Sequence, residues 1–369
     1  MTPLRVLIIA LLVVSLAGLF VFLGTAGATT VNGRLGIDAG HVDHAVGLAE
    51  ESSTPYVDAG LTLEAVETFA SNAVEFGVST RDVRFDPERG LDFRWHAAGV
   101  EWKQLHPRLD LSLSAGVQFG VRRQDDLYAH YDYDAWTGYL AFRSYVGTRQ
   151  FVRGSVGFRA RDYAALPEES NVESYAFLET KRFFEAGSML GASMRLGSKW
   201  FTDPAASRVW AVEGTPTTTQ MTVALQASQS ISERVGLRVG AQMRHAITDF
   251  PYWSDADVYD SPLLDRYARN GPSAEGVLKV LGPSQLWFEV GGAVARDDFG
   301  AIRFADGSPA GTTRRDDATS VFTSVSRAIL APGGHADLRL SVAWRDQAST
   351  IDAYDWQGWS VASGLTWAW

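Results

Sequence analysis

The feature that most constrains this 369-residue chain is a two-residue rhythm. Leu109, Leu111, Leu113, Ala115, Val117, Phe119 and Val121 alternate with Asp110, Ser112, Ser114, Gly116, Gln118, Gly120 and Arg122. Successive side chains of an extended strand point to opposite faces, so this segment has one apolar and one polar face. A helical repeat would scatter the same residues around an axis. The rhythm returns where Val235, Leu237, Val239, Ala241 and Met243 alternate with Gly236, Arg238, Gly240, Gln242 and Arg244, and again through Leu338, Leu340, Val342 and Trp344. The chain from Thr30 to Trp369 therefore reads as all-β.

Alternation suits both a soluble sandwich and a transmembrane barrel, so length and connections must decide. Two-faced segments begin near residues 31, 56, 73, 91, 109, 135, 150, 172, 188, 219, 235, 273, 285, 318, 336 and 356. Most reach the roughly nine to eleven residues of a tilted membrane strand. The expectation is an antiparallel up-and-down barrel of about 16 strands, with 14 or 18 as alternatives.

Tight turns are expected at Ser71-Asn72, His106-Pro107-Arg108, Gly147-Thr148-Arg149, Glu185-Ala186-Gly187, Ser232-Glu233-Arg234, Gly282-Pro283-Ser284 and Pro332-Gly333-Gly334. Between them lie longer segments, including Gln124 to Asp134, Thr202 to Thr217, Asp249 to Pro272 and Asp298 to Asp316. Short periplasmic turns alternating with long extracellular loops are a barrel's habit; a Greek-key sandwich has no reason for it. Trp136, Trp200, Trp344, Trp356 and Trp359 fall near loop ends, and Trp102, Trp367 and Trp369 near turn ends, as two interfacial belts require.

Residues 1–28 read as a secretory signal peptide: Arg5, the apolar run Val6 to Leu23, then Ala26-Gly27-Ala28. An uncleaved anchor is the alternative, since such a run is long enough to span. The barrel is then residues 29–369. There is no cysteine, so disulfides do not hold the exported chain and no thiolate metal site is expected. A net charge of -10 argues against nucleic acid as a partner.

The last strand contains Gly364 followed by Trp367 and Trp369 at alternating positions, with the aromatic Trp369 last. This resembles the C-terminal assembly signal of Gram-negative outer-membrane β-barrels, although Trp replaces the commoner terminal Phe. The resemblance implies an integral outer-membrane location, contact with outer-membrane lipids and handling by the barrel-assembly machinery. It covers the architecture of a porin-like class and identifies no particular family.

With the apolar phase on lipid, the other phase lines the lumen. Early strands place Asp38, Asp58, Glu64 and Glu75 there, with Arg34 and Arg81 as the cations. Strands five to twelve place Arg122, Arg143, Arg153, Arg159, Arg161, Arg195, Lys199, Arg238, Arg244 and Lys279. An acidic wall would thus face a basic one, and this transverse field resembles the charged constriction of general porins. Cross-strand ion pairing that merely fills the interior is the plainer reading of any single residue. The long third loop of general porins has no match in Gln124 to Asp134. The longest loop is Asp249 to Pro272, with Phe250-Pro251-Tyr252-Trp253.

Loop carboxylates at Asp125-Asp126, Asp132-x-Asp134 and Asp255-x-Asp257-x-x-Asp260 could offer Ca²⁺ hard oxygen ligands, but the last cluster lacks the glycine and terminal glutamate of a calcium loop, and solvated loop charge is the plainer reading. No catalytic motif surrounds any histidine; His96 and His130 alone merit inspection. No cofactor or enzyme activity is expected. The expected function is a channel for passive diffusion of small hydrophilic solutes, preferably anions, steered by the basic wall. The alternatives are an export conduit for an acidic polysaccharide with separate periplasmic partners, and a plugged structural or docking barrel for a surface assembly. A homo-oligomer or a protein partner is compatible with each.

Overall fold

The computed structural model describes residues 30–43, 53–85, 91–203, 217–247, 269–303, 309–331 and 333–369. The signal-peptide segment, the Phe250-Pro251-Tyr252-Trp253 motif and the Asp255, Asp257 and Asp260 cluster lie outside the described residues.

Sixteen strands follow in chain order. They are β1 (Thr30–Val42), β2 (Thr54–Phe69), β3 (Asn72–Phe85), β4 (Phe93–His106), β5 (Leu111–Gln124), β6 (Tyr133–Val146), β7 (Gln150–Tyr163) and β8 (Asn171–Phe183). Then come β9 (Ser188–Phe201), β10 (Thr217–Ser232), β11 (Val235–Ala246), β12 (Arg269–Leu281), β13 (Leu286–Arg303), β14 (Pro309–Ala331), β15 (Gly334–Ser349) and β16 (Trp356–Ala368). Each strand pairs antiparallel with the next, and β16 pairs with β1, closing the barrel. Closure leaves no sheet edge, which lets a β-structure satisfy its backbone inside a membrane.

All seven expected tight turns separate the strand pairs at one end. Three of them turn on glycines in the left-handed region, Gly147 at φ +65°, Gly187 at φ +71° and Gly333 at φ +76°, where a Cβ would be strained. Ile37, Val57, Val100, Val117, Leu140, Val156 and Leu225 stand exposed on the outer wall. In a membrane barrel the hydrocarbon does for this face what a core does elsewhere.

Two expectations need correction. The segment Asp298 to Asp316 is not a loop throughout, because β13 runs on to Arg303 and β14 begins at Pro309. Cross-strand pairs tie its base: Arg315 bonds Asp298 at 2.5 Å and, one step below, Arg296 bonds Asp317 at 2.7 Å. Directly opposed opposite charges support an antiparallel ladder where polar composition alone suggests a loop. Trp356 is the second, since it sits on the inward phase of β16 with Arg345 against its ring, whereas Trp359 and Trp369 face outward.

The closing seam explains the C-terminal motif. Gly364 lies opposite Asp38, and a Cβ there would stand 1.9 Å from the Asp38 carboxylate. Trp369 packs its ring where a Cβ of Gly33 would be, and the two residues exchange backbone hydrogen bonds at 3.0 Å. Trp367 stacks beside it at 4.6 Å between ring centroids. Glycines therefore make room at the seam for one carboxylate inside and one indole outside.

Candidate functional site

The register places all the charged residues singled out from the sequence on the phase opposite the exposed apolar side chains. Asp38 is on β1, Asp58 and Glu64 on β2, and Glu75 on β3. Arg122, Arg143 and Arg153, Arg159 and Arg161 follow on β5, β6 and β7. Arg195 and Lys199 are on β9, Arg238 and Arg244 on β11, and Lys279 on β12.

Their partners divide them. Asp58 holds Arg81 through a two-pronged contact at 2.6–3.0 Å. Glu75 lies directly opposite Glu101, and Lys103 bridges the two at 2.5 and 3.0 Å. The sequence reading missed Lys103, although its alternation with Glu101 on one strand was visible. Among the described residues, Asp38 and Glu64 make no ion pair.

The basic side carries carboxylates that the sequence reading also omitted. Glu179 on β8 meets Arg153 at 2.5 Å and Lys181 at 3.2 Å, and Glu289 on β13 meets Lys279 at 2.6 Å. Asp297 meets Arg244 at 3.1 Å, Glu275 lies 3.9 Å from Arg238, and Glu173 stands opposite both Arg159 and Lys199 in register.

Several cations also lean on aromatic faces. Arg122 sits 3.9 Å over Phe93, Arg161 5.5 Å over Tyr133, Lys199 5.1 Å over Phe201 and Arg195 5.7 Å over Phe177. Arg143 lies 5.5 Å from Tyr145 and 5.8 Å from Phe151, and stands opposite Arg153 across the ladder. An aromatic face orients a guanidinium without neutralising it, so the charge still acts on the lumen. Among the described residues, no carboxylate lies within 4.0 Å of Arg143 or Arg195.

The inward face also changes along the axis. Near the loops Phe201 is 0% exposed, Tyr163 1% and Thr218 1%, and Arg122, Arg161 and Lys199 are buried with them. Trp95, Tyr133 and Tyr163 form an aromatic step there, with centroids 6.0 and 5.2 Å apart. Across the barrel Arg314 is clamped between Phe299 and Tyr354, 4.2 and 3.5 Å from the ring centroids, while bonding buried Asp316. Toward the turns the cations open to water, with Arg153 and Arg238 both 50% exposed. Inward charges are thus packed among aromatic rings at the loop end and open to water toward the turns.

The two histidines have structural neighbours. His96 is on the outward phase of β4, its Nδ1 2.8 Å from Thr80 Oγ1, and His130 lies against Tyr131 with centroids 4.1 Å apart. Asp132 accepts the Gln124 backbone N–H at 2.6 Å and Asp134 holds Arg123 at 2.7 Å, so both loop carboxylates have protein partners. Burial pushes the Asp132 carboxyl above its ordinary range, against the opposing pull of that N–H and of Arg123.

Neither a protein-family model nor a curated protein matches the chain. Solved structures do. OccAB1 of Acinetobacter baumannii superposes with a TM-score of 0.56 at 12% identity, covering 91% of this chain and 96% of that one. OprD of Pseudomonas aeruginosa gives 0.53 at 10% identity, covering 93% and 96%. OpdK of Pseudomonas aeruginosa, solved with vanillate, gives 0.50 at 12% identity, covering 92% and 99%. At these identities the likeness is one of fold: a membrane-spanning barrel of the porin-like, outer-membrane type.

Proposed function

We propose that this barrel is an outer-membrane channel for small hydrophilic solutes, with a preference for anions set by the wall formed by β5–β12. The observation that carries the reading is the pair Arg143 and Arg195, each held against an aromatic ring with its charge oriented and no carboxylate within 4.0 Å among the described residues. Cations lining a pore raise the local concentration of anions and favour their passage. Asp38 and Glu64 supply the opposing field from β1 and β2. OpdK, a barrel of similar fold, was solved with vanillate, a carboxylate and so a member of the proposed solute class.

The packed loop end supports a second reading, a plugged barrel that docks a surface assembly, because Phe201, Tyr163 and Thr218 leave little free surface there.

Single-channel recording in planar bilayers separates the readings. A channel gives steady conductance with an anion-selective reversal potential, and Arg143→Ala and Arg195→Ala each move that potential toward zero. A silent membrane containing barrels of confirmed heat-modifiable migration refutes the channel and leaves the plugged barrel. Conductance whose selectivity ignores both substitutions refutes the role of the basic wall.

A further inference from the structure

The outer wall holds a groove of about 560 Å³ between β10 and β14, on the side that meets lipid. Its floor is the outward phase of β12 at Pro272 and Ala274, and the next outward position, Gly276, leaves open space beyond it, since a Cβ there would meet nothing within 4 Å. Met243 on β11 and Val294 on β13 form its sides. Its upper end is polar: Arg296, 53% exposed, bonds Asp317 at that rim.

The backbone sets its depth. Pro272 has no N–H and Gly271 takes φ +143°, and the β12–β13 ladder skips from Asn270 opposite Asp298 to Ser273 opposite Ala295. Unpaired backbone on a lipid-facing wall is tolerated only where water reaches it. The head of the groove therefore lies among lipid headgroups at the loop side of the barrel, and the trough descends along β12 into hydrocarbon.

We propose that the groove seats an acyl chain of a phosphorylated glycolipid of the outer leaflet, with Arg296 at the phosphate. A bilayer leaves no lipid-facing hollow empty, and this one, apolar and a strand wide, fits an aliphatic chain rather than a partner's flat sheet. Asp317 takes the Nε and one Nη2 hydrogen of Arg296, so the other edge of the guanidinium remains for a phosphate. The Arg296–Asp317 contact is exposed and weak, and does not compete with a second anion on the far edge.

The test is native mass spectrometry of the full-length folded barrel, titrated with lipid A and separately with zwitterionic phosphatidylcholine. The wild type is expected to retain lipid A in preference to phosphatidylcholine. Ala274→Leu, which fills the floor, and Arg296→Gln each lower retention, the latter by up to about fivefold, the ceiling for losing one partly exposed charge contact. Ala176→Leu, on the outward phase of β8, leaves it unchanged. Gly276→Leu repeats the floor test should Ala274→Leu fail to give a heat-modifiable barrel. Retention of lipid A unaffected by a folded floor variant overturns the proposal. So does equal retention of phosphatidylcholine with no effect of Arg296→Gln, and so does a multimer that the floor variants dissolve, which would assign the groove to a second copy of the chain. None of these outcomes depends on whether the lumen conducts.

Discussion

The Arg314–Asp316 clamp makes a prediction whose size follows from its geometry. Both side chains are nearly buried, at 10% and 4% exposure, and three N–H···O contacts of 2.5–3.0 Å join them. Arg314→Leu leaves the Asp316 carboxylate buried with Ser349 Oγ at 2.7 Å and Gln347 Nε2 at 3.3 Å as remaining donors. Stranding a buried charge costs about 3–5 kcal/mol, and losing the cation's contacts with Phe299 and Tyr354 adds about 1–2. Because Ser349 and Gln347 still donate to the carboxylate it is not wholly stranded, and a net loss at the low end, about 3 kcal/mol, is expected. Arg314→Leu with Asp316→Leu removes both charges and is expected to lose only about 1 kcal/mol, because no ion is left without a counter-charge. Equilibrium denaturant unfolding of the reconstituted barrel, followed by tryptophan fluorescence, measures all three variants. A single-variant loss under about 1 kcal/mol, or a double variant equal to the sum of the singles, would show that the clamp does not act as a coupled pair.

Two further outcomes follow from other parts of the molecule. Gly364→Ala brings a methyl group against the Asp38 carboxylate, so it is expected to cost about 1 kcal/mol, and the added Asp38→Ala change should restore it; the folded fraction on unheated gels reads both. Asp132 has a folded-state pKa above its unfolded value, so it contributes stability when protonated and loses it as the pH rises through that value. Asp132→Asn, which keeps an acceptor for Gln124 N–H, should therefore stabilise the β5–β6 connection near neutrality and not in acid. Amide exchange of Gln124 at the two pH values is the measurement, and an equal effect at both would contradict the assignment to burial.

Much of the architecture was legible because a barrel wall writes itself in two-residue steps. The run from Leu111 to Gln124 carried the phase of β5 without ambiguity, and the turns at Gly147 and Gly187 announced themselves by residue type. The strand starting near residue 318 was less legible. The ladder of β14 continues outward to Pro309 through Arg315 and Asp317, where polarity mimics a loop and only the partners Asp298 and Arg296 reveal a hairpin. The lumen was legible in direction and less so in balance. Alternation put Arg153 and Lys279 inside, but which carboxylate neutralises each depends on register between strands, and one sequence does not print register. The aromatic supports of Arg122, Arg161 and Arg195 escaped for the same reason: Phe93, Tyr133 and Phe177 belong to neighbouring strands.

The β1–β16 seam bears on the timing of assembly. Ser363 and Ala39 meet across it although 324 residues separate them in sequence. Every other strand pair is a hairpin that can zip from its own connection, while this one must find its partner after the rest of the wall has formed. Until then β1 presents a row of unpaired N–H and C=O groups, the template on which foreign strands add. Closing the ring is thus the step most exposed to error, and an extended peptide that copies β16 would compete for the same edge during that interval.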